Sequence, residues 1–113
     1  SGKPFIITEF YVKGEDSGLP NNTGAGWNVR TQQDRGLFYQ NFVIELLRSG
    51  NCIGWHWFTY MDNDPQNLKT DPSNRDSNKG IVKWNFERYE AALEEMKQLN
   101  DCTYNLIQYL DKL

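Results

Sequence analysis

Pro4-Phe5-Ile6-Ile7-Thr8-Glu9-Phe10 and Cys52-Ile53-Gly54-Trp55-His56-Trp57-Phe58-Thr59-Tyr60 are the two stretches that decide the fold. The first is β-branched and aromatic without clean alternation, which predicts a strand covered on both faces in a parallel sheet. The second has the same strand character and breaks into the polar run Met61-Asp62-Asn63-Asp64. One amphipathic helix lies between them. Strand, helix, strand is the order of a parallel pair joined by a crossover.

That helix is marked locally. Thr31-Gln32-Gln33-Asp34 reads as its start: Thr31 caps the free amide of Asp34, and Asp34 reaches back toward the positive end of the helix. It is predicted to run to about Ser49, with Leu37, Phe38, Asn41, Phe42, Ile44 and Leu47 on one side and Gly50-Asn51 as a left-handed stop. The second strand, Cys52 to about Tyr60, follows at once.

The remaining segments are mostly turn chemistry. Val12 to Val29 holds Gly, Pro, Asn, Ser and Asp, and a connection of that length is usually functional or disordered; Trp27 near its end suggests an anchored loop. Met61 to Lys79 reads as a solvent-facing loop. Its Asp62-Asn63-Asp64 resembles the start of a calcium loop, but Asn67 stands where the turn needs Gly and Ser73 where a bidentate Glu belongs, which excludes an EF-hand. Gly80-Ile81-Val82 returns to the body. A last helix is predicted from about Asn85 or Phe86, with Tyr89, Ala92, Leu93, Met96, Leu99, Leu106, Ile107 and Leu110 at helical spacing and Asn100-Asp101 dividing it.

Composition narrows the function classes. At 113 residues the chain is one domain at most, and a net charge of -3 without a basic block argues against a nucleic-acid partner. No apolar run approaches the roughly 20 residues that cross a bilayer. Cys52 and Cys102 have no His or Cys at zinc-ligand spacing and are expected to be buried thiols; no metal or cofactor is implied. Asn21-Asn22-Thr23 fits a glycosylation triplet and carries no weight alone.

Pattern and size disagree. A βαβα order is a quarter of a (β/α)8 TIM barrel, and a closed barrel needs about 200 residues or more. Two strands buried on both faces would leave edges and apolar side chains bare. The chain is therefore expected to be incomplete on its own, completed by the remainder of a barrel or by a second copy of itself.

A carboxylate and a Trp-rich segment at two parallel strand ends suit a sugar-cleaving site, and the residues carry a specific likeness. Lys3 to Phe10 resembles the seventh strand of clan A retaining glycoside hydrolases, and Gly54 to Asp62 resembles the eighth. Within the clan, Thr8-Glu9-Phe10-Tyr11-Val12-Lys13-Gly14, Asp16-Ser17-Gly18-Leu19-Pro20, Gly24-Ala25-Gly26-Trp27, Asp34-Arg35-Gly36 and Asp62-Asn63-Asp64-Pro65 are most similar to agarase-like enzymes that cut marine galactans. The resemblance implies that residues 1–113 are the C-terminal part of the catalytic barrel. It also implies a secreted or periplasmic parent acting on β-linked galactan. The general acid expected after the fourth strand has no counterpart in this sequence.

On that resemblance Glu9 is the catalytic nucleophile, with Tyr11, Tyr60, His56 or Trp57 as hydrogen-bond donors to it; the bland reading is an ordinary strand-end acid. Trp57 is the favoured sugar platform. Trp55 points with it by alternation, while His56 and Phe58 point the other way, so a one-residue change of register would put His56 at the sugar instead. Asp62 and Asp64, with Asn63, lie where barrel rims bind sugar hydroxyls, or form a solvated turn. Trp27 closes the long loop over the site or pins it. Trp84 is expected to pack, and Lys13 and Arg35 are candidate contacts to a sulfated galactan. The alternative to an enzyme fragment is a non-catalytic carbohydrate-binding or interaction fragment.

Overall fold

The computed structural model describes residues 2–113. The elements are β1 (Phe5–Phe10), β2 (Lys13–Gly14), β3 (Asn28–Val29), α1 (Gln32–Arg48), β4 (Cys52–Trp57), α2 (Glu90–Asp101) and α3 (Thr103–Asp111), with single 3-10 turns at Glu15–Ser17 and Pro72–Asn74. β1 pairs with β4 in parallel, and β2 with β3 in parallel, as two separate two-stranded sheets. The α/β class and the parallel pair across a helical crossover are as the sequence predicts.

α1 starts by the mechanism its sequence announces. Thr31 Oγ1 accepts from the Asp34 amide at 3.1 Å, and Asp34 Oδ2 accepts from the Thr31 amide at 3.2 Å, so two otherwise orphaned donors are satisfied reciprocally. Gly50, at φ 77°, ends the connection in the left-handed region where a Cβ is unfavourable. β4 follows directly.

The core lies on one side of the β1–β4 pair, where α1 and α2 cover it. Phe10, Tyr39, Val43, Leu47, Met96 and Leu99 are its buried members. Phe10 stacks on Phe42 at 4.3 Å between ring centres and meets Trp57 edge-on at 5.4 Å. Tyr39 joins three elements: its hydroxyl accepts from Trp55 Nε1 at 2.9 Å and donates to Asn100 Oδ1 at 2.6 Å. α1 and α2 touch closely at Gly36, where a Cβ would lie 2.4 Å from Glu95 Cβ. Fully burying side chains of this kind contributes about 1.5–3 kcal/mol each.

Several expectations are corrected. β1 is not covered on both faces: Phe5, Ile6, Thr8 and Glu9 are exposed, because the strand has one neighbour and one helical layer. The buried stripe of α1 is Gln32, Arg35, Gly36, Tyr39, Val43 and Leu47, rotated from the predicted one, and Leu37 faces out. The helix is apolar over so much of its girth that the pattern does not single out one face; the buried polar cluster at its first turns does. β4 ends at Trp57 rather than Tyr60. The last helix begins only at Glu90, since Phe86 takes a φ of 71° and the segment before it forms bridges from Val82 to Met61 and Arg88. Those bridges are the return predicted for Gly80 to Val82. The predicted division comes at Cys102, between α2 and α3. Trp84 is 46% exposed instead of packed, and both cysteines are half-buried and unbridged.

Candidate functional site

The acid at the end of β1 owes its direction to a β-bulge. Ile7 pairs with Trp55 and Phe10 with Trp57, so Thr8 and Glu9 together stand opposite His56. Ile7, Phe10, Trp55 and Trp57 all pack toward the helices, while Thr8, Glu9 and His56 are exposed on the other face. A bulge of this kind re-aims side chains and is common beside active sites. Here it lets Phe10 return to the core while Glu9 stays outside it.

Glu9 borders an open cavity of about 380 Å³ lined also by Tyr11, Phe58, Lys79, Ser73 and Asn74 with the Gly24–Ala25 turn. The Tyr11 and Phe58 rings lie 5.8 Å apart, tilted by 53°. The Lys79 ammonium sits 4.2 Å from the centre of the Tyr11 ring and donates to Asn74 Oδ1. Gly26, at φ 105°, lies so close to Tyr11 that a Cβ would come within 2.5 Å of the ring. A second cavity, about 170 Å³, shares Phe58, Asn74 and Lys79 and extends the groove toward Asn63 and Asp71.

A buried polar cluster holds the loops that form these walls. Asn78 Oδ1 accepts from the Gly14 amide at 3.1 Å and from Gln32 Nε2 at 2.7 Å, and the Asn78 amide donates to Asn21 Oδ1 at 2.6 Å. Asp62 accepts from the Tyr89 hydroxyl at 2.6 Å, the Gly80 amide at 2.7 Å and Asn78 Nδ2 at 3.0 Å. Burial pushes its carboxyl up, against these donors and the Arg35 charge. Arg35 is fully buried, donates to the Val12 carbonyl and to Gln32 Oε1, and lies 5.3 Å from the Trp57 ring centre. Burial pushes its guanidinium down to about 10, still charged at neutral pH.

The predicted site residues therefore separate into two groups. Glu9 and Tyr11 meet in the open cavity, with His56 on the same face of the strand pair. Trp57 is on the opposite face: its ring packs with Phe10, Tyr39 and Arg35, and its Nε1 donates to the Lys79 carbonyl at 2.7 Å. The expectation that Trp57 and Glu9 converge at one mouth is corrected, and the aromatic rings beside Glu9 are Tyr11 and Phe58. Asp62 is corrected as well, being 3% exposed with its oxygens engaged internally. Asp64 closes a local turn, accepting from the Gln66 amide at 2.9 Å. The Trp27 carbonyl anchors its loop by accepting from the Lys13 amide, while the ring is 82% exposed. Lys13 and Arg35 are both buried, so neither presents its charge to a polysaccharide. Asn21 donates its carboxamide to the Gly14 carbonyl in a buried position, which removes it as a glycan acceptor.

Sequence reasoning overlooked Phe58, Asn74 and Lys79 as parts of the site. Phe58 had a signal, since alternation puts it on the His56 side; the other two lie in a polar loop with none. Among the described residues no group of three His, Cys, Asp or Glu side chains is placed to hold a metal ion. Among the described residues Glu9 is the one carboxylate bordering its cavity, suited to attack or to accept a proton but without the second acid a glycosidase uses.

No protein-family profile matches the sequence, and no curated protein matches it either. Solved structures do. The structure of BpGH50 superposes with a TM-score of 0.82 and 44% identity over 96% of this chain. PfGH50B does so at 0.78 with 28% identity over 94%, and a structure described as an exo-beta-agarase at 0.77 with 26% identity over 93%. The chain spans only 21%, 15% and 14% of those three proteins. It is thus similar to a fragment of an agarase-like enzyme of the GH50 kind.

Proposed function

We propose that this chain is the C-terminal βαβα quarter of a (β/α)8 barrel and carries the nucleophile, Glu9, of a retaining glycoside hydrolase acting on β-linked galactan such as agarose. The observation that carries the reading is the bulge at Thr8–Glu9, which presents a carboxylate at the C-terminal end of a parallel strand, where barrel enzymes build their sites. The likeness to BpGH50 and to the exo-beta-agarase supports the parent activity and the substrate class.

In the complete barrel Glu9 attacks the anomeric carbon, and a second carboxyl about 5–5.5 Å away protonates the leaving oxygen and then activates water. That second acid comes from outside this segment. Tyr11 and Phe58 form the apolar floor against which the sugar ring rests, taking the part first assigned to Trp57. The outer edges of β1 and β4, unpaired among the described residues, together with exposed Ile6 and Ile53, support completion by neighbouring barrel strands. A second copy of the chain is the other occupant of those edges, and sizing chromatography distinguishes them.

The test uses agarose oligosaccharides. The isolated chain shows no turnover, the enzyme with its whole barrel does, and Glu9→Gln lowers kcat of that enzyme by on the order of 10⁴ or more. Full activity in Glu9→Gln, or turnover by the isolated chain, overturns the assignment.

A further inference from the structure

We propose that Lys79 is a positioning residue of the Glu9 cavity, its ammonium holding Tyr11, Phe58 and the Asn74 rim in the arrangement a sugar ring meets. The inference rests on the glycosidase reading above. It begins from an anomaly of burial. Lys79 is only 4% exposed, and a lysine is almost never so enclosed without an ionic partner. Among the described residues none of the ion pairs within 4.0 Å involves it. Its ammonium rests instead over the Tyr11 ring at 4.2 Å and near the Phe58 ring at 5.7 Å, and donates to Asn74 Oδ1.

These contacts come from distant parts of the chain. Tyr11 follows β1, Phe58 follows β4, and Asn74 ends the 3-10 turn on the rim. The Gly24 loop closes against the same ammonium, since a Cβ there would lie 2.9 Å from Lys79 Nζ. The base of the lysine is fixed independently of any ligand: its carbonyl accepts from Trp57 Nε1 at 2.7 Å and from the Thr59 amide at 3.1 Å, and its own amide donates to the Ser77 carbonyl. Ordering a long side chain is entropically costly, and here aromatic faces and one amide oxygen offset that cost instead of a carboxylate. The ammonium therefore works as a post. It sets the spacing between the aromatic floor and the polar rim on either side of the groove that Glu9 borders.

The experiment has an arm that needs no activity. In the NMR spectrum of the chain, the ring current of Tyr11 shifts the ε-methylene protons of Lys79 upfield, and Tyr11→Leu returns them toward their usual position; unshifted protons overturn the proposal. The second arm uses the enzyme with its whole barrel. Lys79→Met raises KM for agarose oligosaccharides about tenfold with kcat held within about threefold, because shape is lost and not chemistry. Lys79→Arg restores most of the KM, since a guanidinium also rests on aromatic faces. Combining Lys79→Met with Tyr11→Leu gives a KM no higher than the worse single variant. An unchanged KM in Lys79→Met, or effects that multiply in the double variant, overturns the proposal. Absence of hydrolysis by the unmodified enzyme overturns the glycosidase reading instead, while the NMR arm still decides the placement of Lys79.

Discussion

The Tyr89 hydroxyl donates to Asp62 Oδ2 at 2.6 Å, both side chains are buried, and the Tyr89 ring also lies 5.5 Å from the Arg35 guanidinium carbon. This contact ties the start of α2 to the loop after β4, and through Asn78 and Gln32 to the start of α1. Burial and the Asp62 bond push the Tyr89 phenol far above its ordinary 10.0, so it remains a donor throughout the working pH range. Tyr89→Phe leaves Asp62 with the Gly80 amide and Asn78 as donors and removes one charge-assisted bond. Stability is expected to fall by about 1–3 kcal/mol in urea denaturation.

Two buried or partly buried acids give opposite pH dependences. Burial raises the Asp62 carboxyl above 3.8, so between 3.8 and its folded value the native state binds more protons than the unfolded one, and stability falls as pH rises through that window. For Asp76 desolvation also pushes upward, but the Thr23 side chain and the Thr23 and Asn22 amides outweigh it and the net shift is downward. Its contribution is present above 3.8 and is lost as pH falls through the folded value. Urea midpoints measured across acidic pH are expected to lose the first trend in Asp62→Asn and the second in Asp76→Asn.

Gly36→Ala sets two effects against each other. Alanine gains about 1 kcal/mol of helix propensity over glycine. Its Cβ would lie 2.4 Å from Glu95 Cβ and 2.8 Å from the Ala92 carbonyl, and overpacking of this sort costs about 1–3 kcal/mol. The backbone contact cannot yield as a flexible side chain would, so the expected result is a lower Tm by calorimetry.

Trp27 and Trp57 are predicted to behave as opposites. Trp27→Ala removes a ring that is 82% exposed and changes stability by no more than about 0.5 kcal/mol. Trp57→Ala deletes contacts to Phe10, Tyr39 and Arg35 and the bond to the Lys79 carbonyl, and is expected to cost about 3 kcal/mol or more. Chemical denaturation of both variants checks this.

What was legible in the sequence follows the range of each interaction. The Thr31–Asp34 box spans four residues and reads directly, as do the two strands and the parallel order that a helix between them enforces. The face of Trp57 was not legible. Strict alternation after Ile7 would put Glu9 inward and Phe10 outward; the bulge leaves Thr8 and Glu9 both outward and returns Phe10 to the core. One extra residue in a pairing register leaves no mark in composition. The burial of Asp62, Asn78 and Lys79 was hidden for another reason: each sits in a run of polar residues, and its partners, from Gly14 to Tyr89, lie far away along the chain.

Among the described residues, β1 and β4 each leave one row of peptide groups without a mate. A ribbon with two bare flanks does not set its own width; whatever lies alongside does. On the proposed reading these 113 residues are staves of a closed cylinder, and its other members fix that width.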